Sequence, residues 1–160
     1  MNTWYCPQTS RFLSQPYEYG AYDQQAYPTA LGEEVTKATV TNNTNETVDV
    51  YWVGIGWHCA TSWYDGYPFV CYKERLRPGD RMTREIKGYL RGVGVRTGGR
   101  FCGSHDLFKG TTSLTVTSMI NNICFPDVGS YLCWVIKAAK NVPLVGSAIE
   151  TVMSWVGFRC

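Results

Sequence analysis

Between Val35 and Ile120 the chain turns back on itself every eight to twelve residues, and this cadence constrains the fold more than any other feature. Val35 to Val40 is β-rich, Asn42 to Glu46 is a turn, and Thr47 to Ile55 alternates Val48, Val50 and Trp52 with Asp49, Tyr51 and Val53, the pattern of a half-buried strand. Pro68 to Arg75 and Arg81 to Ile86 read as strands joined by Arg77-Pro78-Gly79-Asp80, where Pro presets φ and Gly accepts a positive one. Tyr89 to Thr97 follows, with Gly92 and Gly94 marking a bulge or a close backbone approach, then a short piece at Phe101 and Cys102 and a last strand from Thr112 to Ile120. The expected fold is mainly β, an antiparallel β-sandwich of six or seven strands, with 44% hydrophobic residues to fill it.

The flanks read differently. Residues 1–34 carry Tyr17, Tyr19, Tyr22 and Tyr27 among Pro7, Pro16 and Pro28 with no stable period, which predicts an extended arm. Tyrosine brings a large amphipathic area with few rotors, so such an arm suits packing on its own body or on a neighbouring subunit. Residues 121–160 predict a helical pair: Ser130 to Lys140, then a second helix capped by Asn141 with Pro143 in its first turn. Leu144, Val145, Ala148, Ile149, Val152, Met153 and Val156 share one face of it. That face needs an apolar cover, from the sandwich, the other helix, a second subunit or a lipid surface with Trp134 and Trp155 at the boundary and Lys137 and Lys140 on the head groups.

Seven cysteines leave an odd one, and Cys160, the last residue, is the easiest to bond to another chain. Cys59 and Cys71 bracket the aromatic loop and are expected to pair; Cys124 and Cys133 are placed for a local bridge from a turn to the first helix. His58-Cys59 with Cys102 and His105 supply the residue types of a zinc site, but not finger or ribbon spacing, and disulfides are the preferred use of the thiols. No metal or cofactor is expected. Asn42-Asn43-Thr44 and Asn45-Glu46-Thr47 are two glycosylation sequons in the same turn, equally what Asn/Thr hairpin chemistry produces. The opening residues lack a basic n-region followed by an apolar h-region, so no signal peptide is read, and the compartment stays open, with cysteines and sequons compatible with secretion.

Charge is uneven. Lys73 to Arg100 holds nine Lys or Arg against three Asp or Glu, whereas residues 1–34 are net −3, an arrangement suited to attraction within or between chains. Strand alternation divides these cations between two faces and no recognition helix accompanies them, which argues against nucleic acid. No phosphate loop, nucleophile elbow or paired acid and base is present, and the expectation is a protein that is not an enzyme.

The order hairpin, loop, strand, Leu76-Arg77-Pro78-Gly79-Asp80 turn, strand, Lys87-Gly88-Tyr89 turn and Val-rich strand resembles the β domain of the von Hippel-Lindau family over residues 35–120. The resemblance implies a β-sandwich. That family's hydroxyproline pocket uses Ser, His and Trp near the second turn, where this chain has Glu85, Tyr89 and Arg91, so the binding activity does not carry over. Val40-Thr41-Asn42-Asn43-Thr44 also resembles the opening of actinoporin-type β-sandwich cytolysins.

These features point to a self-assembling structural or packaging protein, its partner itself as a homo-oligomer or lattice, using Tyr17, Tyr19, Tyr22, Tyr27 and Cys160. The alternative is a membrane-active toxin or lectin-like binder of membrane or glycan. It would use Trp57, Trp63, Tyr64 and Tyr67 of the aromatic loop together with the C-terminal amphipathic helix.

Overall fold

A computed structural model of the chain describes residues 32–160. Tyr17, Tyr19, Tyr22 and Tyr27, and the expected arm with them, lie outside the described residues. Across the described residues the protein is mainly β, with eight strands in two sheets. The smaller sheet has the order β4 (Arg81–Gly88), β1 (Glu34–Thr41), β7 (Gly110–Thr115). The larger runs β3 (Val70–Leu76), β2 (Val48–Ile55), β5 (Leu90–Thr97), β6 (Arg100–Ser104), β8 (Ile123–Phe125). All pairs are antiparallel except β1 with β7, which is parallel.

Side-chain alternation on β2 explains the layering. Val48, Val50 and Trp52 point to the smaller sheet and meet Ala38, Val40, Ile86, Val93 and Val95. The Trp52 indole N–H donates to the Ala38 carbonyl at 3.2 Å, tying the two sheets together. Tyr51, Val53 and Ile55 point the other way, into a second core built with Phe69, Phe101 and the helices α2 (Val128–Lys140) and α3 (Gly146–Val156). β2 is therefore buried on both faces, not half-buried as its alternation predicts, and the molecule has three layers: small sheet, large sheet, helices. Gly92 and Gly94 are explained by close approach. A Cβ on Gly92 would lie 2.7 Å from the Tyr131 hydroxyl, and one on Gly94 would strike the Phe101 ring.

The helical pair forms where expected at its start and not at its second member. Asp127 caps α2, its carboxylate accepting from the Ser130 N–H at 2.7 Å, a bond that holds this carboxyl below the usual aspartate range. Asn141, expected to open the second helix, instead closes α2, its N–H donating to the Ala138 and Ala139 carbonyls. The chain then turns through Pro143 to Leu144, which has φ 68° and is 79% exposed, so Leu144 is not part of the buried face. Ile149 and Val152 are, both fully buried, and Gly157 at φ 76° terminates α3. The helices pack on each other and on the open face of the larger sheet.

Two more expectations are corrected. Thr112 to Ile120 is not one strand: the Thr115 hydroxyl accepts from the Ser118 N–H and starts the short helix α1 (Val116–Ile120), a local cap overriding β propensity. Cys124 does not bond Cys133. β8 sets Cys124 opposite Cys102 with Cα atoms 3.9 Å apart, and these two form the bridge. Cys133 on α2 bonds Cys160, so the last residue is tied within its own chain and fastens α3 to α2. Cys59 pairs with Cys71 as expected. That bridge spans 12 positions and contributes about 3 kcal/mol by restricting the unfolded chain. The remaining cysteine, Cys6, lies outside the described residues.

Candidate functional site

The loop after β2 is held from three directions. The Cys59–Cys71 bridge closes it at its base, with Cα atoms 5.1 Å apart. At its tip, Tyr64 and Tyr67 exchange backbone hydrogen bonds of 3.1 and 2.9 Å across Asp65-Gly66, both of which have positive φ, the geometry of a tight hairpin turn. In between, the Asp65 carboxylate accepts from the Lys73 ammonium and the Tyr51 hydroxyl, each at 2.7 Å. The Lys73 hydrogen bond, then that of Tyr51, holds the Asp65 carboxyl below the usual aspartate range. Burial, then the bond to Asp65, pushes the Tyr51 phenol well above its ordinary value, so it stays a proton donor.

This clamp makes an expected pH response local to the loop. Because Asp65 titrates lower folded than unfolded, its contribution is complete above the ordinary value of 3.8 and is lost as pH falls through the lower, folded value. Protection of the amides of residues 57–67, taken relative to their intrinsic exchange rates, should therefore fall in that acid window. Asp65→Asn should exchange faster at neutral pH and show no further step there; loop exchange in Asp65→Asn matching the parent at every pH would contradict the clamp.

Held this way, the loop presents some aromatics and buries another. Trp57, Trp63 and Tyr64 are 41%, 48% and 37% exposed. Tyr67 is partly buried against the helical core, where Gly129 leaves room for its ring. It therefore serves packing, while the other three face outward. Trp155 on α3, 67% exposed, meets Trp57 edge-to-face with ring centroids 5.9 Å apart. A shallow depression beside it is lined by Glu150, Thr151 and Ser154. Loop and helix, joined through Trp57 and Trp155, which are 98 positions apart in sequence, thus share one aromatic surface.

Sequence reasoning missed Glu33. Its carboxylate accepts from the Trp57 and His58 N–H groups at 3.0 and 3.2 Å, so the chain enters the body beside that indole pair. A lone Glu at the end of a polar stretch carries no pattern that announces such an anchor. Next to it, Glu34 approaches the buried Arg91 at 3.7 Å. Of the nine cations in the basic stretch, six are ion-paired: Lys73 with Asp65, Arg75 and Arg96 with Asp49, Arg77 with Asp80, Arg84 with Glu74, and Arg91 with Glu34. Its charge is largely answered by carboxylates of the same body.

Of the positions matching the von Hippel-Lindau pocket, Glu85 is exposed, Tyr89 is half-buried and Arg91 is fully enclosed. The cysteines of the zinc candidate, Cys59 and Cys102, are both in disulfides. Among the described residues no group of three or more His, Cys, Asp or Glu is gathered as metal ligands, and no helix is long and apolar enough to cross a membrane. Comparison with protein-family profiles, curated proteins and solved structures finds no match to this chain.

Proposed function

We propose that the protein is a non-enzymatic, self-assembling structural or packaging protein that works through its Tyr-rich N-terminal stretch and the outer surface of its loop and helix layer. The observation that carries this reading is the pairing of Trp57 with Trp155 beside the Glu33 anchor. An exposed aromatic surface stands where the Tyr- and Pro-rich stretch joins the body. Aromatic faces are the usual seat for extended Pro- and Tyr-containing segments, which have little conformational entropy left to lose. On this reading residues 1–32 make the contacts with other copies. Burying a few tyrosines at roughly 25 cal/mol per Å² supplies several kcal/mol per contact before ordering costs. Cys160 is bonded to Cys133 inside the chain and is therefore not a link between copies.

Size-exclusion chromatography with light scattering on the intact chain tests this. A stable homo-oligomer or larger assembly is expected. A monomer that releases dye from liposomes or is retained by a glycan column would instead favour the second reading, a membrane-active or lectin-like binder. The exposed rings of Trp57, Trp63, Tyr64 and Trp155 are the observation behind that alternative. The three disulfides fit an oxidising compartment for either.

A further inference from the structure

The two adjacent sequons of the β1–β2 turn have opposite surroundings. Asn42 is fully buried. Its Nδ2 donates to the Glu46 carbonyl at 2.7 Å and the Leu76 carbonyl at 3.0 Å, so both amide hydrogens are in use. Its Oδ1 accepts from the Thr44 N–H at 3.0 Å and the Thr44 hydroxyl at 2.6 Å. The Asn42 backbone is engaged as well, its N–H donating to the Asp80 carbonyl and its carbonyl accepting from the Gly79 N–H. This asparagine is the knot that joins the β1–β2 turn to the β3–β4 turn. Three residues on, Asn45, Glu46 and Thr47 are all exposed.

We propose that Asn45 is an N-glycosylation site of this protein and that Asn42, despite its matching motif, is not one in the folded chain. Transfer forms a bond from Asn45 Nδ2 to C1 of the terminal sugar of a lipid-pyrophosphate-linked oligosaccharide. The C1–O bond breaks, the lipid pyrophosphate leaves with the electron pair, and one amide proton goes to a base. A sugar on Asn42 Nδ2 would replace a hydrogen that the fold uses and would need space where none is open. On Asn45 it meets only solvent. The three disulfides are compatible with an oxidising compartment, where this chemistry occurs. The site also suits the rest of the molecule: the turn precedes β2 and the aromatic loop follows it, so eight residues of strand, roughly 26 Å, separate the glycan from the Trp57–Trp155 surface.

The test is synthesis of the full chain behind a cleavable leader into endoplasmic-reticulum microsomes, with a known acceptor sequon in the same reaction. The disulfide-bonded, protease-resistant fraction is then treated with an amidase-type glycosidase in ¹⁸O water and mapped by mass spectrometry. The expected result is one glycan, with the isotope at position 45 only; Asn45→Gln and Thr47→Ala each abolish it. A glycan at position 42 in the folded fraction, or an unmodified position 45 while the control acceptor is modified, would overturn the proposal.

Discussion

Ile149→Asp is expected to unfold the protein, leaving it insoluble or molten at room temperature. Ile149 is fully buried on α3 beneath Val152, in the core shared with Tyr131, Leu132 and Val135 of α2. Removing an aliphatic side chain from such a site costs about 2 to 5 kcal/mol, and a carboxyl placed there must either lose its hydration unpaired or bind a proton. The sum is comparable with the total stability of about 5 to 15 kcal/mol that a domain of this kind has. Trp155→Asp on the outer face of the same helix is the control, since that ring is mostly exposed and its loss should leave the unfolding midpoint nearly unchanged. A helix that served lipid and not the core would reverse the order: Ile149→Asp would fold normally and lose only liposome affinity.

The second large effect is expected at Arg91. This side chain has no exposure, yet it is placed between the sheets. Its guanidinium donates to the Thr36 hydroxyl at 2.8 Å, the Gly88 carbonyl at 2.7 Å and the Leu107 carbonyl at 3.0 Å. Burial pulls its pKa down from the ordinary arginine value, and the Glu34 carboxylate partly offsets this. Three elements therefore meet on one cation: β1 through Thr36, the end of β4 through Gly88, and the segment after β6 through Leu107. Arg91→Ala leaves two carbonyls unpaired and a void, so denaturant unfolding should show a loss of about 3 to 5 kcal/mol. An unchanged midpoint would mean that this cation does not help to join the sheets.

The same residue shows what the sequence conceals. In the strand Leu90 to Thr97, Arg91 reads as one more cation of a basic stretch; nothing local says that it points inward, because the acceptors come from Thr36, Gly88 and Leu107, up to 55 positions away. The strands were legible because turns such as Arg77-Pro78-Gly79-Asp80 are written in local chemistry: Gly79 takes φ 86° and the Asp80 N–H returns to the Arg77 carbonyl at 2.9 Å. The sandwich followed from them. The parallel pairing of β1 with β7 did not, since register between distant strands depends on which faces meet. Cysteine pairing divided along the same line: Cys59 and Cys71 bracket one loop, whereas Cys102 and Cys124 meet only through β8, and Cys133 and Cys160 only through the helical hairpin. The loop aromatics were visible in sequence, but their union with Trp155 and the Glu33 anchor belongs to tertiary structure.

The central claim, that residues 1–32 build the assembly while the body stands without them, is most directly tested by light scattering on a chain lacking Met1 to Gly32, with its unfolding midpoint measured alongside. The account predicts a monomer whose midpoint stays close to that of the intact protein, since Glu33 and both cores are retained. A truncated chain that still assembles to the size of the intact protein would contradict it.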